Sequence, residues 1–467
     1  MQDDVRLLKK ILEANHPSLY WYTPKDSIDL YFKQTISSLT DSLNELQFRN
    51  KVSWVVEKIR CGHTQVRFSK NYADYYKGKR LSNFPLLIRI WGDSMVVVNN
   101  YLKNAIINRG TIITGINGMS NRFLIDSMYS LISGDGISKS FQQQLVSFYF
   151  PSYFKNTFGI DSFSTINYID SLGIEKKTEL KSYRPVSDSL EKIRIDALPK
   201  LGRKERKKYE LLSQRNMLID TPMKTAILNI GTFSEAKLQR FFRKSFRTIK
   251  KMKLENVVVD LRENSGGNIF SSTRLAQYLI DHPFKIADTV AAIDRGFRYK
   301  KYIKPWFLYW LSMHFTGRRQ NDGRIHFRYF EKHYFKPKKR NHFGGDIYVV
   351  TGGYTFSAAT MVASVLKDQK NVTIVGEETG GGAYGNTAVH LPVITLPNSK
   401  IRVVIPLYRL VLDKTRPKNG RGILPDVSVQ PSSDAIKRGV DIKLEKVKEL
   451  IKLRSADGVS LTGNEKL

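Results

Sequence analysis

A serine at the entrance to a helix is the first residue of this chain whose setting permits chemistry. Residues 347–350 form a short apolar, β-branched run that predicts a buried strand, and the paired glycines at 352 and 353 predict a sharp turn. The composition of Ala358–Leu366 predicts a helix, so Ser357 falls where the turn enters the helix. Its hydroxyl could cap the helix, or it could act as a nucleophile beside backbone N–H groups.

A second segment pairs a buried strand with two glycines. The apolar run at 257–259 leads through Asp260 into Gly266 and Gly267, and a helix is expected to follow. Paired glycines after a buried strand allow close approach of a ligand and expose N–H groups. Neither GxxxxGK[ST] nor GxGxxG is present, so a phosphate loop has no motif support, and an oxyanion hole for acyl transfer is the alternative.

The third candidate is a histidine that follows a glycine. His63 is expected at a corner between a helix and an extended run, where an imidazole can protrude as a general base, although a structural role is the commoner fate of one histidine. Cys61 lies two residues away and is the only cysteine. As a rival nucleophile it lacks the strand–turn–helix setting of Ser357.

The composition bounds the class of protein. With 467 residues, 41% hydrophobic content and 11% aromatic content, the chain is expected to fold into several globular domains. One cysteine excludes an internal disulfide and a cysteine-cluster metal site. No apolar run is long enough to span a membrane, and no charged-then-apolar leader begins the chain, so neither a transmembrane helix nor a signal peptide is predicted.

The formal net charge of +33 favours anionic partners. No zinc-finger spacing, RNA-recognition aromatic motif or long basic block is present, so specific nucleic-acid binding is not expected. An anionic membrane surface is the other partner class that this charge favours. The insertion at 284–343 contains the aromatic segment 304–315 between basic residues, which predicts a segment lying at a membrane interface, a hydrophobic cap over a cleft, or a buried helix.

The elements that must position these residues change character along the chain. Three-to-four spacing of apolar residues predicts an N-terminal helical domain over 1–75, and short strands with an Asn-Gly turn predict a PDZ-like module over 84–140. Residues 141–223 form a connecting segment. Alternating strands and helices predict an α/β core of βαβ units over 224–435, and a C-terminal helix and tail follow at 436–467.

Together the three segments resemble the C-terminal processing (tail-specific) protease family of serine peptidases, with a closer likeness to its tricorn-like, histidine-using branch. The motifs that carry the likeness occur in the family's order along most of the chain: GHT (62–64), DLRENSGG (260–267), TFSAAT (355–360), GEETGGG (376–382) and RGILPDV (421–427). The resemblance implies a multidomain α+β protein with an N-terminal helical bundle, a PDZ-like module and a crotonase-like α/β core. It also implies export to the periplasm or cell surface.

By this resemblance the chain is a serine-type endopeptidase that cleaves peptides or protein C-terminal tails without metal or cofactor. Ser357 is the expected nucleophile and His63 the expected base, and the N–H groups of Gly266 or Gly267 and of Ala358 would form the oxyanion hole. A catalytically inactive peptide-binding protein that retains the fold is the alternative function.

Within the resemblance, the residue that acts as base depends on the branch of the family. The lysine-using branch carries its base in the segment that here is TGGG, so no lysine is available and His63 takes the role. A base needs a partner that orients it. Glu378 is the candidate for that partner, and Asn419 is a second one. Gly62 and Thr360 stand where the family has serine and, often, glutamate.

Overall fold

The computed structural model describes residues 1–40, 42–102, 106–184, 202–234 and 236–462. Parts of the predicted connecting segment, at 185–201, and of the predicted tail, at 463–467, lie outside the described residues. The described elements form a mixed α/β, multidomain structure with several sheets and surrounding helices, as the sequence predicted at that level.

The N-terminal region consists of three helices, whose apolar faces join the largest core. They are α1 (Gln2–Asn15), α2 (Lys25–Ser37) and α3 (Glu45–Glu57). A capping box between Asn44 and Gln47 begins α3. After α3 the backbone turns at Arg60, whose φ is +58°, and then passes through His63 into β1 (Val66–Arg67). Because β1 pairs with β19 (Arg402–Val404), the histidine corner is held against the C-terminal half of the chain.

An antiparallel sheet follows, with strand order β2-β3-β4-β6-β7 and the short β5 beside β4. Its strands are β2 (Leu86–Trp91), β3 (Ser94–Asn100), β4 (Ile112–Ile116), β5 (Met119–Ser120), β6 (Phe163–Ile169) and β7 (Glu175–Lys181). A bridge between Asn83 and Tyr183 brings the two ends of the sheet together. Helix α4 (Lys70–Tyr76) precedes the sheet, and α5 (Asn121–Tyr129) packs on β4 and β5.

Helix α6 (Ser140–Phe158) was not predicted from the sequence. Its pattern is obscured because Pro151 lies inside the helix and Tyr149 leaves helical geometry, with φ −128°. The helix nevertheless packs closely against β2 and buries Phe150 and Phe154. The predicted connecting segment therefore begins with a structural helix of the preceding sheet.

The α/β part is a six-stranded sheet of order β21-β16-β15-β10-β9-β8. The strands are β8 (Arg215–Asp220), β9 (Thr225–Ile230), β10 (Asn256–Asp260), β15 (Asp346–Thr351), β16 (Val372–Gly376) and β21 (Val427–Ser428). All but β8 run parallel, as the predicted βαβ order requires. Parallel pairing places the carboxyl ends of β10 and β15 together, so the segments that follow them meet.

Helices cover this sheet and complete the chain. They are α7 (Arg203–Gln214), α8 (Leu238–Lys251), α9 (Ile269–Leu279), α12 (Ala358–Leu366), α13 (Ser433–Arg438) and α14 (Ile442–Thr462). Lys443 at the start of α14 is buried, and its Nζ donates to the Thr351 carbonyl at 2.8 Å and to Glu377 Oε2 at 2.6 Å. This contact fastens the C-terminal helix beneath the turn that follows β15.

The strands of the predicted insertion take part in two further sheets. It supplies β11 (Thr289–Ala292), β12 (Ile303–Lys304), β13 (Arg318–Arg319), β14 (Ile325–His326), α10 (Trp306–Thr316) and α11 (Arg328–Lys332). Of these strands, β12 pairs with the later β18 (Val393–Thr395) and β11 pairs with the later β20 (Tyr408–Val411), in sheets that also contain β19 and β17 (Gly385–Ala388). In the described part of the chain, no helix combines the length and apolar character needed to cross a membrane.

Candidate active site

Ser357 occupies a strained position between β15 and α12. Its φ of +53° and ψ of −120° lie in a region that non-glycine residues rarely adopt. The side chain makes no capping hydrogen bond, so the capping interpretation is wrong. Neighbouring backbone bonds hold the turn in place: the Phe356 N–H donates to the Asn264 carbonyl at 3.0 Å. The strain projects the hydroxyl away from the helix it introduces.

His63 lies next to this hydroxyl. Its Nε2 is 3.2 Å from Ser357 Oγ, although the two residues are 294 positions apart in the chain. The imidazole is 9% exposed and packs on the Phe356 ring with a centroid distance of 4.9 Å. Burial lowers the pKa of His63 to about 4. The imidazole is therefore neutral at pH 7, and its Nε2 can accept a proton from the serine.

The turn that contains Gly266 and Gly267 follows β10 and packs against Ser357. Gly266 and Gly267 have φ of +105° and +135°, and a Cβ on Gly266 would lie 2.8 Å from the Cβ of Ser357. The Gly266 N–H already donates to Asn264 Oδ1 at 2.8 Å. Among the described residues, the N–H groups of Gly267 and Ala358 have no acceptor. Of the predicted donors, these two are free to bind an oxyanion.

Ser357, His63, Gly267 and Ala358 all face one cavity of about 370 Å³. Most of the remaining wall is apolar and comes from five parts of the chain: Phe270 of α9, Phe327 and Phe330 of the insertion, Met361 of α12, Val389 and Leu391 after β17, and Leu410 and Leu412 at the end of β20. A reactive pair at the wall of an apolar cavity is the arrangement expected where a substrate side chain is held during acyl transfer.

The other ring nitrogen of His63 has no partner. Its Nδ1 is buried without a hydrogen bond in the described structure. Glu378 accepts from the Gly422 N–H at 2.7 Å and pairs with Arg421 at 2.8 Å. Asn419 Oδ1 accepts from the Arg421 N–H at 3.0 Å. Both candidate orienting residues therefore bind within the 419–422 turn, and no hydrogen bond joins either of them to His63.

Asp135 is an acidic residue that lies beside Gly62, the residue before His63, and it was not predicted from the sequence. It is 3% exposed, and Oδ1 accepts from the Gly62 N–H at 2.8 Å while Oδ2 lies 3.5 Å from the Gly382 N–H. Burial raises the pKa of Asp135 to about 7, against the opposing effect of the two N–H groups. Asp135 therefore links the backbone before His63 to the TGGG segment.

Cys61 is not available as a nucleophile in this arrangement. Its Sγ lies 2.7 Å from Thr387 Oγ1, and the side chain is 4% exposed. Burial raises the pKa of the thiol to about 11, so it stays protonated at neutral pH. Thr360, where the family often has glutamate, donates its hydroxyl to the Thr355 carbonyl at 3.0 Å and supports the turn before Ser357.

Comparison with known proteins defines the class. Residues 224–429 match the model of peptidase family S41, and this range contains Ser357 and both free N–H donors. No curated protein matches the chain at the sequence level. The matched region is that of a serine-type peptidase, and the predicted family is confirmed there: residues 224–429 belong to peptidase family S41.

Solved structures show the same fold over nearly the whole chain. Mature CPAF is 15% identical with a TM-score of 0.67, and the match covers 96% of this chain and 96% of that chain. Mature CPAF complexed with lactacystin is 14% identical with a TM-score of 0.67, covering 97% of this chain and 98% of that chain. The similarity therefore includes the helices and the antiparallel sheet that precede the matched peptidase region.

Proposed function

We propose that this peptidase works through a Ser357–His63 pair and hydrolyses peptide bonds by acyl transfer. Ser357 Oγ attacks the carbonyl carbon while its proton passes to His63 Nε2. The N–H groups of Gly267 and Ala358 hold the oxyanion of the tetrahedral intermediate. His63 then gives the proton to the leaving amine as the C–N bond breaks, and a water molecule repeats the sequence on the acyl-enzyme.

The observation that carries this mechanism is the 3.2 Å contact between His63 Nε2 and Ser357 Oγ beside two free N–H donors. A serine hydroxyl needs such a base, and a neutral imidazole meets that need. Asp135 is proposed as the positioning residue for the base. It holds Gly62, and its negative charge favours the imidazolium that forms during the reaction.

A fluorophosphonate probe tests the nucleophile. We expect labelling of the wild type, none of Ser357→Ala, and strongly slowed labelling of His63→Ala, with peptide cleavage lost in parallel. Lactacystin, the compound bound in the CPAF structure, should protect Ser357 from the probe if the cavity accepts it. Absence of labelling and cleavage in the wild type would instead favour a peptide-binding protein that retains the fold.

The apolar cavity supports a substrate preference. We propose that it takes a large apolar side chain of the residue on the acyl side of the scissile bond, because aromatic and aliphatic side chains line it. Peptides that differ only in leucine or aspartate at this position test the idea. A ratio of kcat/KM above about tenfold in favour of leucine is expected, and equal cleavage would contradict it.

Tail capture by the antiparallel sheet is proposed from the family resemblance and from the short strand β5. Within the described residues that strand pairs only with β4, so we propose that its outer edge accepts an extended peptide in the PDZ-like manner, next to α5. Matched substrates with a free or an amidated C-terminus distinguish the cases. A lower KM for the free carboxylate supports tail recognition, and identical KM values would remove it.

Contact with an anionic membrane surface is a second proposal, and α10 supports it. In this helix only Met313 is buried, so the buried-helix interpretation of the insertion is wrong. Phe307, Leu308 and Phe315 are 51%, 59% and 73% exposed, and basic residues flank the helix. Sedimentation with anionic vesicles should fall for Phe307→Ser/Phe315→Ser but not for Phe163→Ser, an exposed aromatic elsewhere.

Export is proposed from the family resemblance alone. Fractionation of cells that express the protein from its natural gene would test whether it lies outside the cytoplasm.

A further inference from the structure

A concave basic surface lies on the outer side of α8. Its cations, termed the basic cavity here, are Arg240, Arg243, Lys244, Arg247, Lys338 and Arg340. The four on α8 recur at three and four residues, so they share the face opposite the buried Phe242 and Phe246. The other two, Lys338 and Arg340, lie in the C-terminal part of the insertion at 284–343. The enclosed space is about 600 Å³.

Among the described residues, no carboxylate forms an ion pair with these cations. The remaining lining residues, Tyr278 and Asn341, are uncharged. Like charges three and four residues apart on a helix repel one another. Burial and the neighbouring charge of Arg274 both lower the pKa of Lys338. An anion that enters the cavity relieves this repulsion.

The two walls of the basic cavity are fixed to the same helix, α9. The Lys338 N–H donates to the Gln277 carbonyl at 2.7 Å, and Gln277 Nε2 donates to the Lys336 carbonyl at 2.8 Å. On the other wall, Phe246 of α8 stacks on Tyr278 with a centroid distance of 4.4 Å and an interplanar angle of 3°. The cations are therefore presented by a packed framework and not by a free loop.

We propose that the basic cavity binds an anion that carries at least one terminal phosphate group. Arginine guanidinium groups match phosphate oxygens with paired N–H donors, and four of the six cations are arginines. A cavity of this volume admits a compact oligophosphate or a phosphomonoester headgroup, which share this chemistry. The inference concerns a surface outside the peptidase cavity and does not depend on the proposed mechanism.

Calorimetric titration with tripolyphosphate tests the site directly. Arg243→Ala/Arg247→Ala should weaken binding at least tenfold. Arg203→Ala/Arg206→Ala removes the same charge from the exposed helix α7 and should leave binding within twofold of wild type. An equal loss in both variants would show general charge attraction and overturn the proposal, as would the absence of binding to the wild type.

Vesicles identify the source of the phosphate. Phosphatidic acid presents a phosphomonoester, whereas phosphatidylserine, mixed to the same surface charge, does not. Selective pelleting with phosphatidic acid that is lost in Arg243→Ala/Arg247→Ala supports a lipid headgroup, and tripolyphosphate binding without selective pelleting supports a free anion. Unselective pelleting together with unchanged tripolyphosphate affinity in that variant overturns both.

Discussion

Replacing Asp135 by asparagine keeps the shape of the buried side chain and removes its charge. The oxygen that accepts from the Gly62 N–H can be retained, so the corner before His63 should keep its backbone path. What is lost is the negative charge of Asp135 near His63, whose Nδ1 has no hydrogen-bond partner among the described residues. The variant therefore separates charge from packing.

The magnitude follows from Coulomb's law. At an effective dielectric constant of about 20, an anion on the order of 8 Å from a cation stabilises it by about 2 kcal/mol, or about 30-fold in rate. The Gly62 N–H lies 2.8 Å from Asp135 Oδ1 and belongs to the residue before His63, so we take a separation of this order for the imidazolium. We expect kcat to fall about 30-fold at pH 8, with KM unchanged.

The pH dependence gives the sharper result. Because the pKa of Asp135 is raised to about 7, its carboxyl is protonated at pH 5 in the wild type as well. The kcat of the two proteins should then agree within a few-fold at pH 5 and diverge as the pH rises through 7. In Asp135→Asn the remaining inflection should be that of His63, near pH 4.

As the pH rises, the free energy of unfolding of the wild type should change in the direction opposite to its kcat. A raised carboxyl pKa means that the folded state binds the proton more tightly, so the free energy of unfolding falls as the pH rises from about 4 to about 7. A change from 3.8 to about 7 corresponds to about 4 kcal/mol. Asp135→Asn removes this cost, so at pH 8 the variant should unfold at no lower urea concentration than the wild type.

Two results would refute this reasoning. A rate ratio that does not depend on pH would show that the charge plays no part. A loss of activity that tracks a loss of stability would assign Asp135 a purely structural role. Asp161→Asn, in an exposed loop, is the matched control and should change neither quantity.

Two further substitutions test the supports of the site. A Cβ at Gly62 would lie 2.5 Å from the Phe356 ring on which His63 packs, so Gly62→Ala should cost about 1–3 kcal/mol of stability and about 100-fold in kcat, measured by urea unfolding and peptide hydrolysis. Wild-type kcat would contradict it. Lys443→Met removes the nearer of the two cations that pair with buried Glu377 and leaves Arg89 at 3.6 Å, so the free energy of unfolding should fall by about 1.5–3 kcal/mol. Adding Glu377→Gln should recover much of that loss, and no recovery would contradict the pairing.

Local patterns made Ser357, His63 and the paired glycines candidates, and the family resemblance then implied their roles. The turn before Ser357 and the paired glycines are written in consecutive residues, and parallel pairing of β10 and β15 then brings them together. The capping interpretation of Ser357 failed because composition does not show φ and ψ. Gly266 illustrates a similar limit, since a bond to the side chain of Asn264 uses its N–H.

Contacts across the chain could not be predicted. Asp135 stands between two glycines and has the composition of an ordinary turn, and its importance comes from bonds to residues 73 and 247 positions away. Helix α6 was missed because Pro151 breaks its periodicity. Glu378 was named from the motif that contains it, but its oxygens bind Arg421 and Gly422.

The distribution of the site along the chain sets the time at which activity can appear. His63 emerges early in synthesis, Asp135 later, and Ser357 only after the insertion has been made. The cation that fastens the turn after β15 comes later still, at Lys443. A partly synthesised chain therefore has a base without a nucleophile, or a nucleophile on an unfastened turn. Under the proposed mechanism, peptide hydrolysis therefore requires that the segments carrying His63, Ser357 and Lys443 have all been made and folded.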